Sequence, residues 1–275
     1  MHRKGEHLEI VVVANRKGGV AKSSTALALG AGLIRNGYKV LYIDLDSQTN
    51  LTNGLGAREE GVVSSWDVLT GAATAAQAIQ HTPQGDVIGG SEALAGADIA
   101  IAGTGREYCL KNALDAIGGA YDYVIIDTPP ALGTLTINAL TAANSVIIPA
   151  QADEDSIKGI HLLNRAIQAV KRHCNRNLYI RGILITRYNG RAIYSRDMQD
   201  NLQATAALLK TKLYSTTIRE NVAIKEARSK KRDIFSYSGK SNGARDYRAF
   251  VKEFLEESAK ETTGKESNDG NQKKF

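Results

Sequence analysis

A glycine-rich turn near the start of the chain carries lysines and serines in a spacing suited to phosphate chemistry. The segment Ala14–Ser24 is AlaAsnArgLysGlyGlyValAlaLysSerSer, and it lies between the first predicted strand and the first predicted helix. Backbone N–H groups of such a turn and the positive end of the helix converge on an anion. Gly18 and Gly19 can adopt a positive φ and let the backbone approach that anion. Lys22 would then face the β- and γ-phosphates of a nucleotide, and the Ser23 hydroxyl would bind Mg²⁺.

Two later segments place carboxylates where a magnesium nucleotide needs them. Asp44 and Asp46, in TyrIleAspLeuAspSerGlnThrAsn, are two residues apart and would face the same side of an ideal strand. Asp127 ends a second apolar run, ValIleIleAspThrProPro. Such carboxylates hold the waters of the metal and orient the attacking water, although a strand-end aspartate can also serve only to cap the next turn. Together with the phosphate turn, they indicate a nucleotide hydrolase.

The elements that position these residues alternate between short apolar runs and helix-period segments. The runs are rich in Val and Ile without polar alternation, which is typical of strands buried on both faces. Alternating β and α elements predict an α/β fold, a mostly parallel twisted sheet with helices on both faces. The predicted strands are Leu8–Ala14, Lys39–Asp44, Asp86–Ile88, Tyr123–Asp127, Ser145–Pro149 and Tyr179–Thr186. The predicted helices are Lys22–Asn36, Arg106–Ile117, Thr134–Ala142, Ser156–His173, Tyr194–Leu209 and Arg245–Ala259.

The pattern predicts a single domain over residues 1–259. The last residues, 260–275, lack apolar periodicity and are expected to form a disordered polar tail, and Ser236–Ala244 is predicted to be a loop. Two distant cysteines, Cys109 and Cys174, argue against a disulfide or zinc site and for a reducing compartment. No apolar run approaches the roughly 20 residues that span a bilayer, and the polar start lacks a signal-peptide core. A cytoplasmic protein is therefore expected.

Charge is unevenly distributed along the chain, whose formal net charge is +6. From Lys158 to Arg232 there are 17 Lys and Arg residues against 4 Asp and Glu, a balance of +13. The rest of the chain has 18 basic and 25 acidic residues, a balance of −7. This asymmetry indicates nucleic acid or an anionic membrane as a partner, although a solvated basic surface would have the same composition.

The phosphate turn departs from the ordinary P-loop pattern, because Arg16 and Ala21 stand where that pattern has glycines. It fits the deviant pattern K-G-G-x-x-K-[ST], in which a second lysine, here Lys17, precedes the two glycines. The chain thereby resembles the ParA/MinD group of ATPases from about Glu9 to Phe254. The resemblance implies a P-loop NTPase fold that binds ATP and Mg²⁺. It also implies a dimer in which Lys17 reaches across to the other nucleotide, while Lys22 acts within its own subunit.

The acidic segments resemble the same group. Asp44–Asn50 matches D-x-D-P-Q-x-N with serine in place of the proline, which implies that Asp46 positions the hydrolytic water and that Asp44 supports the magnesium shell. Asp127 would bind Mg²⁺ through water. The segment Leu132–Asn144 resembles a switch region that senses the γ-phosphate, although a core helix would also explain it. The predicted catalytic residues are Lys17, Lys22 and Asp46, and the predicted metal-binding residues are Ser23, Asp44 and Asp127.

Two later segments resemble the adenine-binding part of these ATPases. Ile185–Asn189 ends a strand, and Asn189 matches an asparagine whose side chain reads adenine, although an ordinary turn asparagine would fit as well. Thr217–Ser229 matches I-P-R-N-V-x-L-x-E-A-P-S, in which the backbone just before Asn221 flanks the adenine; here Glu220 replaces an arginine. The predicted ATP-binding residues are Lys17, Gly18, Gly19, Val20, Ala21, Lys22, Ser23, Ser24, Asn189, Ile218 and Arg219.

The same part of the chain carries the predicted DNA-binding residues. Arg219 and Arg228 replace the prolines of the pattern, and Arg191 matches a DNA-binding arginine of the group. Binding through phosphates needs several cations and no sequence readout, whereas each of these cations alone would also suit a solvated surface. The predicted DNA-binding residues are Arg191, Arg219, Lys225, Arg228, Lys230, Lys231 and Arg232.

The resemblance implies an ATP switch for DNA partition. ATP would join two subunits into a homodimer that holds DNA without sequence preference, and a centromere-binding ParB-like adaptor protein would stimulate hydrolysis. The protein would be cytoplasmic and nucleoid-associated, with no stable membrane association. The alternative is a MinD-like membrane-associated ATPase that places the division site. That class ends in a basic amphipathic helix, whereas the last predicted helix here carries Glu253, Glu256 and Glu257.

Overall fold

The computed structural model describes residues 8–117, 119–189 and 193–272, and the side chains of residues 193–196 and 260–272 lie outside that description. One eight-stranded sheet forms its centre. The strands, in chain order, are β1 Glu9–Val13, β2 Val40–Asp44, β3 Ile79–Thr82, β4 Gly85–Ile88, β5 Tyr123–Asp127, β6 Ser145–Ala150, β7 Tyr179–Tyr188 and β8 Leu213–Arg219.

The sheet is parallel except at one edge. Its strand order is β3-β4-β2-β5-β1-β6-β7-β8, and among the described strands only β3 and β4 pair in antiparallel fashion. The central strands are buried on both faces; Val11, Val12 and Val13 of β1 have no exposed surface. Each of the six predicted apolar runs lies on a strand of this sheet. The predicted α/β fold is therefore confirmed.

The apolar runs do not predict β3 and β8, which are the two edge strands. In β8, Tyr214 and Ile218 are buried whereas Ser215 and Arg219 are exposed, so the strand contains no continuous apolar run. β3 is short and half polar, and it pairs with β4 through a two-residue connection. Edge strands of this kind are defined by their neighbours more than by their own composition.

The long helices lie where the helix-period segments predict them, and the helix after β5 has the predicted bounds. Of the helices with four to eight residues, α6 lies within the predicted segment Arg106–Ile117. The others are not predicted, because so few residues display no clear helical period. Two of the helices occupy parts of Ser236–Ala244, the segment predicted to be a loop. The helices are α1 Lys22–Arg35, α2 Asn50–Leu55, α3 Ser65–Thr70, α4 Ala75–Ala78, α5 Ala97–Ala100, α6 Cys109–Asp115, α7 Thr134–Ala142, α8 Glu154–His173, α9 Ile193–Leu208, α10 Val222–Ser229, α11 Ile234–Ser238 and α12 Asn242–Gln272.

The helices cover both faces of the sheet and enclose two apolar cores. On one face, α1, α2 and α10 to α12 pack with the side chains of Val11 and Val13. On the other face, helices α3 to α9 pack with Val12 and its neighbours. Alternate residues of each strand thus enter opposite cores, as the two-residue period of a strand requires. This arrangement places the carboxyl ends of the parallel strands, and the loops that follow them, at one rim of the sheet.

The last helix, α12, is longer than predicted. Its first half is anchored by Tyr247, Phe250 and Phe254, which are fully buried. The backbone remains helical past residue 259 and through Gln272, in the segment for which the sequence predicts a disordered tail. Residues 260–272 include two glycines and several Thr, Ser, Asn and Asp residues, so intrinsic helix propensity does not explain this extension.

A carboxylate of α12 covers the outer edge of β8. The Glu253 carboxylate accepts hydrogen bonds from the backbone N–H groups of Ser215 and Thr216, at 2.9 and 3.1 Å, and from the Thr216 hydroxyl at 2.8 Å. Glu257, one turn further on, forms an ion pair with Lys212. These two glutamates, whose charge argues against lipid binding by the last helix, therefore also have structural partners in the fold.

The structure also describes possible membrane spans and the state of the two cysteines. In the described part of the chain, no helix is both long enough and apolar enough to cross a bilayer. Cys109 and Cys174 are both free cysteines and are partly buried.

Candidate functional site

The loop between β1 and α1 bends through the left-handed backbone region at two residues. Gly19 has a φ of +75°, and Ala21, the N-cap of α1, has a φ of +62° and a ψ of +33°. Gly18 lies outside that region, and a Cβ atom added to it would meet nothing within 4 Å. A left-handed backbone costs an alanine roughly 1–2 kcal/mol. The alanine that replaces a P-loop glycine at position 21 is therefore strained.

Lys22, the first residue of α1, keeps its ammonium group inside the protein. The residue is only 7% exposed, and its Nζ atom lies 3.5 Å from the carbonyl oxygen of Lys17. Burial lowers the pKa of Lys22, while the nearby carboxyl groups of Asp127 and Asp46 act in the opposite direction. A buried cation needs an anionic partner. The position is therefore suited to a phosphate group.

Asp127, at the end of β5, is fully buried, and neither of its carboxylate oxygens has a hydrogen-bond partner among the described residues. Burial and the neighbouring Asp44 raise its pKa well above the ordinary value, and the approach of the Ser23 hydroxyl and Lys22 only partly offsets this. A buried carboxylate without a donor is incomplete as it stands. A divalent cation beside Ser23 and Asp127 would complete it, so these two residues fit the predicted magnesium site.

The Asp44 carboxylate, by contrast, is already satisfied by the protein. Its Oδ1 accepts the backbone N–H of Asp46 at 3.0 Å, and its Oδ2 accepts the N–H and the hydroxyl of Thr52 at 2.9 and 2.7 Å. Burial raises the pKa of Asp44 to about 6, although these hydrogen bonds lower it. Asp44 therefore fixes the backbone that carries Asp46, and in this arrangement it supports a metal site through position and charge.

Asp46 faces the same space from the loop after β2. The residue is 8% exposed, and its Oδ1 accepts the backbone N–H of Gln48 at 3.0 Å. The described residues contain no group of three His, Cys, Asp or Glu side chains that could hold a metal by themselves. A magnesium ion here would rely on phosphate oxygens and water for most of its ligands, as it commonly does.

A cavity of about 410 Å³ joins the loop, Asp46 and the ends of β7 and β8. Of the predicted ATP-binding residues, Val20 has no exposed surface, and Lys17, Val20 and Asn189 do not line the cavity. The residues that line it are Gly18, Gly19, Ala21, Lys22, Ser23, Ser24, Asp46, Gln48, Asn50, Pro130, Arg187, Ile218, Arg219, Glu220, Asn221, Ile224, Lys225, Arg228 and Tyr247. Most of the phosphate loop thus lines the same cavity as residues of the 218–228 segment.

Three large apolar or aromatic side chains from β8, α10 and α12 are among the residues that line the cavity. Ile218 and Tyr247 are buried, and Ile224 of α10 lies beside them in the cavity wall. The predicted adenine reader, Asn189, is exposed outside this wall, and Arg187 lines the cavity instead. The sequence does not predict a role for Arg187 or Tyr247. Tyr247 comes from α12, so no motif near the phosphate loop could have indicated it.

Lys17 points away from the cavity of its own subunit. Its ammonium forms an ion pair with Asp153 at 2.5 Å and lies 3.3 Å from the side-chain oxygen of Gln151. Asp153 is the N-cap of α8, where its carboxylate also accepts the backbone N–H of Ser156. Burial raises the pKa of Asp153, but the bonds from Lys17 and Ser156 outweigh it and hold the pKa below the ordinary value. A lysine placed in this way is available to a second molecule only if the pair opens.

The predicted DNA-binding residues divide into two groups. Arg219 is bound to Asp246 of α12, through its backbone N–H at 3.0 Å and its guanidinium at 2.9 and 2.6 Å. Lys225 and Arg228 line the cavity. Lys230, Lys231 and Arg232, just after α10, are exposed, whereas Arg191 lies outside the described residues. Among the described members of this set, Lys230, Lys231 and Arg232 are therefore the exposed cations that do not line the cavity.

Known proteins match this fold and site. A family model described as an AAA domain matches residues 8–180. The sporulation initiation inhibitor protein Soj of Bacillus subtilis is 39% identical over 249 residues, which cover 89% of this chain and 97% of Soj. The chromosome partitioning protein ParA of Caulobacter vibrioides is 37% identical over 254 residues, which cover 90% of this chain and 94% of ParA. The fold and the phosphate loop define a P-loop nucleotide-binding protein. Within that class, the chain belongs to the ParA/Soj-like family of ATPases.

Solved structures agree with this assignment. Cobyrinic acid a,c-diamide synthase of Mycobacterium smegmatis, with a bound ATP analogue and magnesium, has a TM-score of 0.80 and 36% identity, covering 90% of this chain and 94% of that one. An ATP complex of a McdA variant from Cyanothece has a TM-score of 0.80 and 25% identity, covering 91% of this chain and 97% of that one. MinD of Pyrococcus horikoshii, at 22% identity and a TM-score of 0.73, shares the fold.

Proposed function

We propose that the protein is an ATP-dependent DNA partition ATPase, which dimerises on ATP, binds DNA without sequence preference and is stimulated by a ParB-like adaptor. The observation that carries the proposal is the buried Lys22 ammonium in the wall of the cavity, together with the buried Asp127 carboxylate, which lies close enough to interact with it electrostatically and has no hydrogen-bond partner among the described residues. These two groups together require an anion and a cation, which Mg²⁺-ATP supplies. The relative from Caulobacter vibrioides, which is named for chromosome partitioning, matches this chain over 94% of its own length.

The nucleotide would lie along the cavity with its phosphates at the loop. Lys22 faces the β- and γ-phosphates, and Ser23 and Asp127 hold Mg²⁺ and its waters. Asp46 orients the attacking water, and Asp44 fixes Asp46 through the backbone contact described above. The base would bind beside Ile218, Ile224 and Tyr247, where the backbone at Ile218 and Arg219 flanks it. Lys22 would then gain an anionic phosphate, and Asp127 would gain the cation that it lacks in the protein alone.

Dimerisation would use Lys17, which does not line the cavity of its own subunit. When ATP is bound, Lys17 would leave Asp153 and reach the phosphates of the second subunit, so that each site is complete only in the dimer. The two subunits would then bring their exposed cations at 230–232 to one surface. Several phosphates bound at once give affinity without base recognition. This supports a nucleoid-associated protein of the cytoplasm without stable membrane association.

A binding assay with both candidate partners tests the proposal. Non-specific duplex DNA and anionic liposomes are each titrated with the protein, in the presence of ATP, ADP or no nucleotide. We expect DNA binding that needs ATP, is lost in Lys22→Ala and persists in Asp46→Ala, which binds ATP but turns over poorly. ATP-dependent liposome binding without ATP-dependent DNA binding would instead establish the MinD-like function. An added ParB-like protein should raise the rate of ATP hydrolysis.

A further inference from the structure

Arg187, near the end of β7, lines the cavity and bridges two other residues that line it. Its Nη1 donates to the carbonyl oxygen of Gly19 at 3.3 Å, and its Nη2 donates to Glu220 Oε1 at 2.9 Å. The residue has a φ of +52°, in the left-handed region that non-glycine residues seldom adopt. Backbone of this kind persists only where the surroundings hold it, and it is concentrated at ligand sites.

The two partners of Arg187 mark the two ends of the ligand space. Gly19 belongs to the phosphate loop, whereas Glu220 follows the residues that flank the base end, and all three line the cavity. The guanidinium side chain is 40% exposed and Glu220 is 54% exposed. A guanidinium carries five N–H donors in a planar fork. The group is therefore placed, and sufficiently accessible, to meet a ligand that enters between these ends.

Glu220 would be unfavourable in this position without Arg187. Glu220 lines the same cavity as the phosphate loop, so a bare carboxylate there would repel phosphate. Arg187 neutralises it, and their hydrogen bond, followed by the charges of Arg187 and Lys225, holds the pKa of Glu220 below its usual range. Exposed ion pairs of this kind contribute little, because water screens them. The pair can therefore open at low cost when a stronger anion arrives.

We propose that Arg187 is a phosphate-binding residue that exchanges Glu220 for the polyphosphate of the incoming nucleotide. Arg–phosphate hydrogen bonds are charge-assisted and can be bidentate, so they are stronger than the exposed pair that they replace. Before binding, Glu220 holds the guanidinium across the mouth and thereby positions it. Afterwards Arg187 closes over the phosphates from the side opposite Lys22. This inference rests on the proposed nucleotide-binding function and names an interaction that the phosphate-loop motif does not contain.

The test measures ATP and ADP affinity by calorimetry for the full-length protein and four variants. Arg187→Met should weaken both ligands by about tenfold or more, the range that loss of a charge-assisted hydrogen bond produces. Glu220→Gln should bind ATP at least as tightly as the parent, since no ion pair has to open. Arg187→Met combined with Glu220→Gln should remain as weak as Arg187→Met. Arg165→Met, at an exposed arginine of α8, is the matched control and should bind like the parent.

Competition with inorganic tripolyphosphate identifies the part of the nucleotide involved. Against a fluorescent ATP analogue, tripolyphosphate should compete less well in Arg187→Met than in the parent. If Arg187→Met is poorly folded by thermal melting, Arg187→Lys replaces it and should show an intermediate loss. Parent-like affinity in the double variant would mean that Arg187 only neutralises Glu220, and equal competition by tripolyphosphate would place Arg187 away from the phosphates; either result overturns the inference. A parent that binds no ATP would overturn the proposed function itself.

Discussion

Asp127 is buried as a carboxyl group without a hydrogen-bond donor, and it sits beside two other carboxylates. Nothing in the nucleotide-free protein compensates for this arrangement fully, so the residue is selected for what it binds rather than for stability. Active sites commonly lower stability in this way. The consequence can be measured in the absence of any ligand.

The first prediction concerns Asp127→Asn. We expect the nucleotide-free variant to be more stable than the parent by about 1 kcal/mol near neutral pH, and to lose Mg²⁺-dependent nucleotide binding. Because the pKa of Asp127 is raised in the folded state, the parent loses stability as pH rises from the ordinary value toward the raised one. The difference between the two proteins should therefore be small near pH 4 and grow with pH. Urea unfolding across pH measures it, and a constant or shrinking difference would contradict the raised pKa.

The second prediction concerns the left-handed residue of the phosphate loop. Ala21→Gly should stabilise the protein by about 0.5–1 kcal/mol, because glycine relieves the strain at φ +62° and this outweighs the greater freedom of the unfolded chain. Ala204→Gly is the matched control. Ala204 is exposed in the interior of α9, where the same exchange should destabilise by about 1 kcal/mol. Thermal melting of both variants measures the two changes in stability. Destabilisation by both substitutions would mean that Ala21 is not strained.

At the scale of elements, the N-terminus of α8 binds Lys17, the lysine that the proposed dimerisation would use. Asp153 serves both as helix cap and as partner of Lys17. The helix is thus linked to the phosphate loop through one carboxylate, and the strength of that link affects how readily Lys17 can reach a second subunit.

The third prediction separates the two roles of Asp153. Asparagine is an equally good N-cap, so Asp153→Asn should leave the melting temperature close to that of the parent while removing the charge that holds Lys17. Half-exposed ion pairs are weak, and we expect ATP-dependent dimers to appear at about two- to fivefold lower ATP concentration. Sedimentation at a series of ATP concentrations measures this. Lys17→Ala should bind ATP without dimerising, and an unchanged midpoint in Asp153→Asn would show that the pair does not restrain Lys17.

How far the sequence predicts these elements depends on where the information lies. β5 and α7 are predicted with the observed bounds, because a continuous apolar run and a helical period are local signals. β8 is missed because its apolar residues are interrupted on the exposed face. In the site, the phosphate loop and its carboxylates follow from local spacing. Arg187 and the Lys17–Asp153 pair do not, because their partners lie many residues away along the chain.

At the scale of the whole molecule, the balance of +13 between Lys158 and Arg232 overstates the charge available to DNA. Arg181 is buried against Glu9 and near Glu257, Lys212 is paired with Glu257, and Arg219 is bound to Asp246. These carboxylates come from outside the basic segment. A count along the sequence cannot detect such neutralisation, since it happens only when the chain folds.

The fourth prediction follows from the cations that remain exposed. Exchanging Lys230, Lys231 and Arg232 together for glutamine should weaken DNA binding for all sequences alike and leave ATP binding unchanged. The slope of log affinity against log salt should become shallower by about 0.9 for each DNA phosphate that the variant no longer neutralises, summed over both subunits. The matched control exchanges Lys39, Lys111 and Lys252, which lie outside the basic segment. Titration at several salt concentrations compares the two, and equal slopes would assign DNA binding to another surface.

Glu253, which covers the outer edge of β8, also affects how copies of the protein can associate. An outer strand with free N–H groups is a template on which a further chain can add, and natural sheets block such edges with charge or with a covering element. Glu253 does both, since a helix brings its carboxylate onto two of those N–H groups. Molecules gathered closely on one stretch of DNA would be crowded edge to edge. The covered edge would then favour the proposed assembly, which ATP hydrolysis would end, over the irreversible growth of a shared sheet.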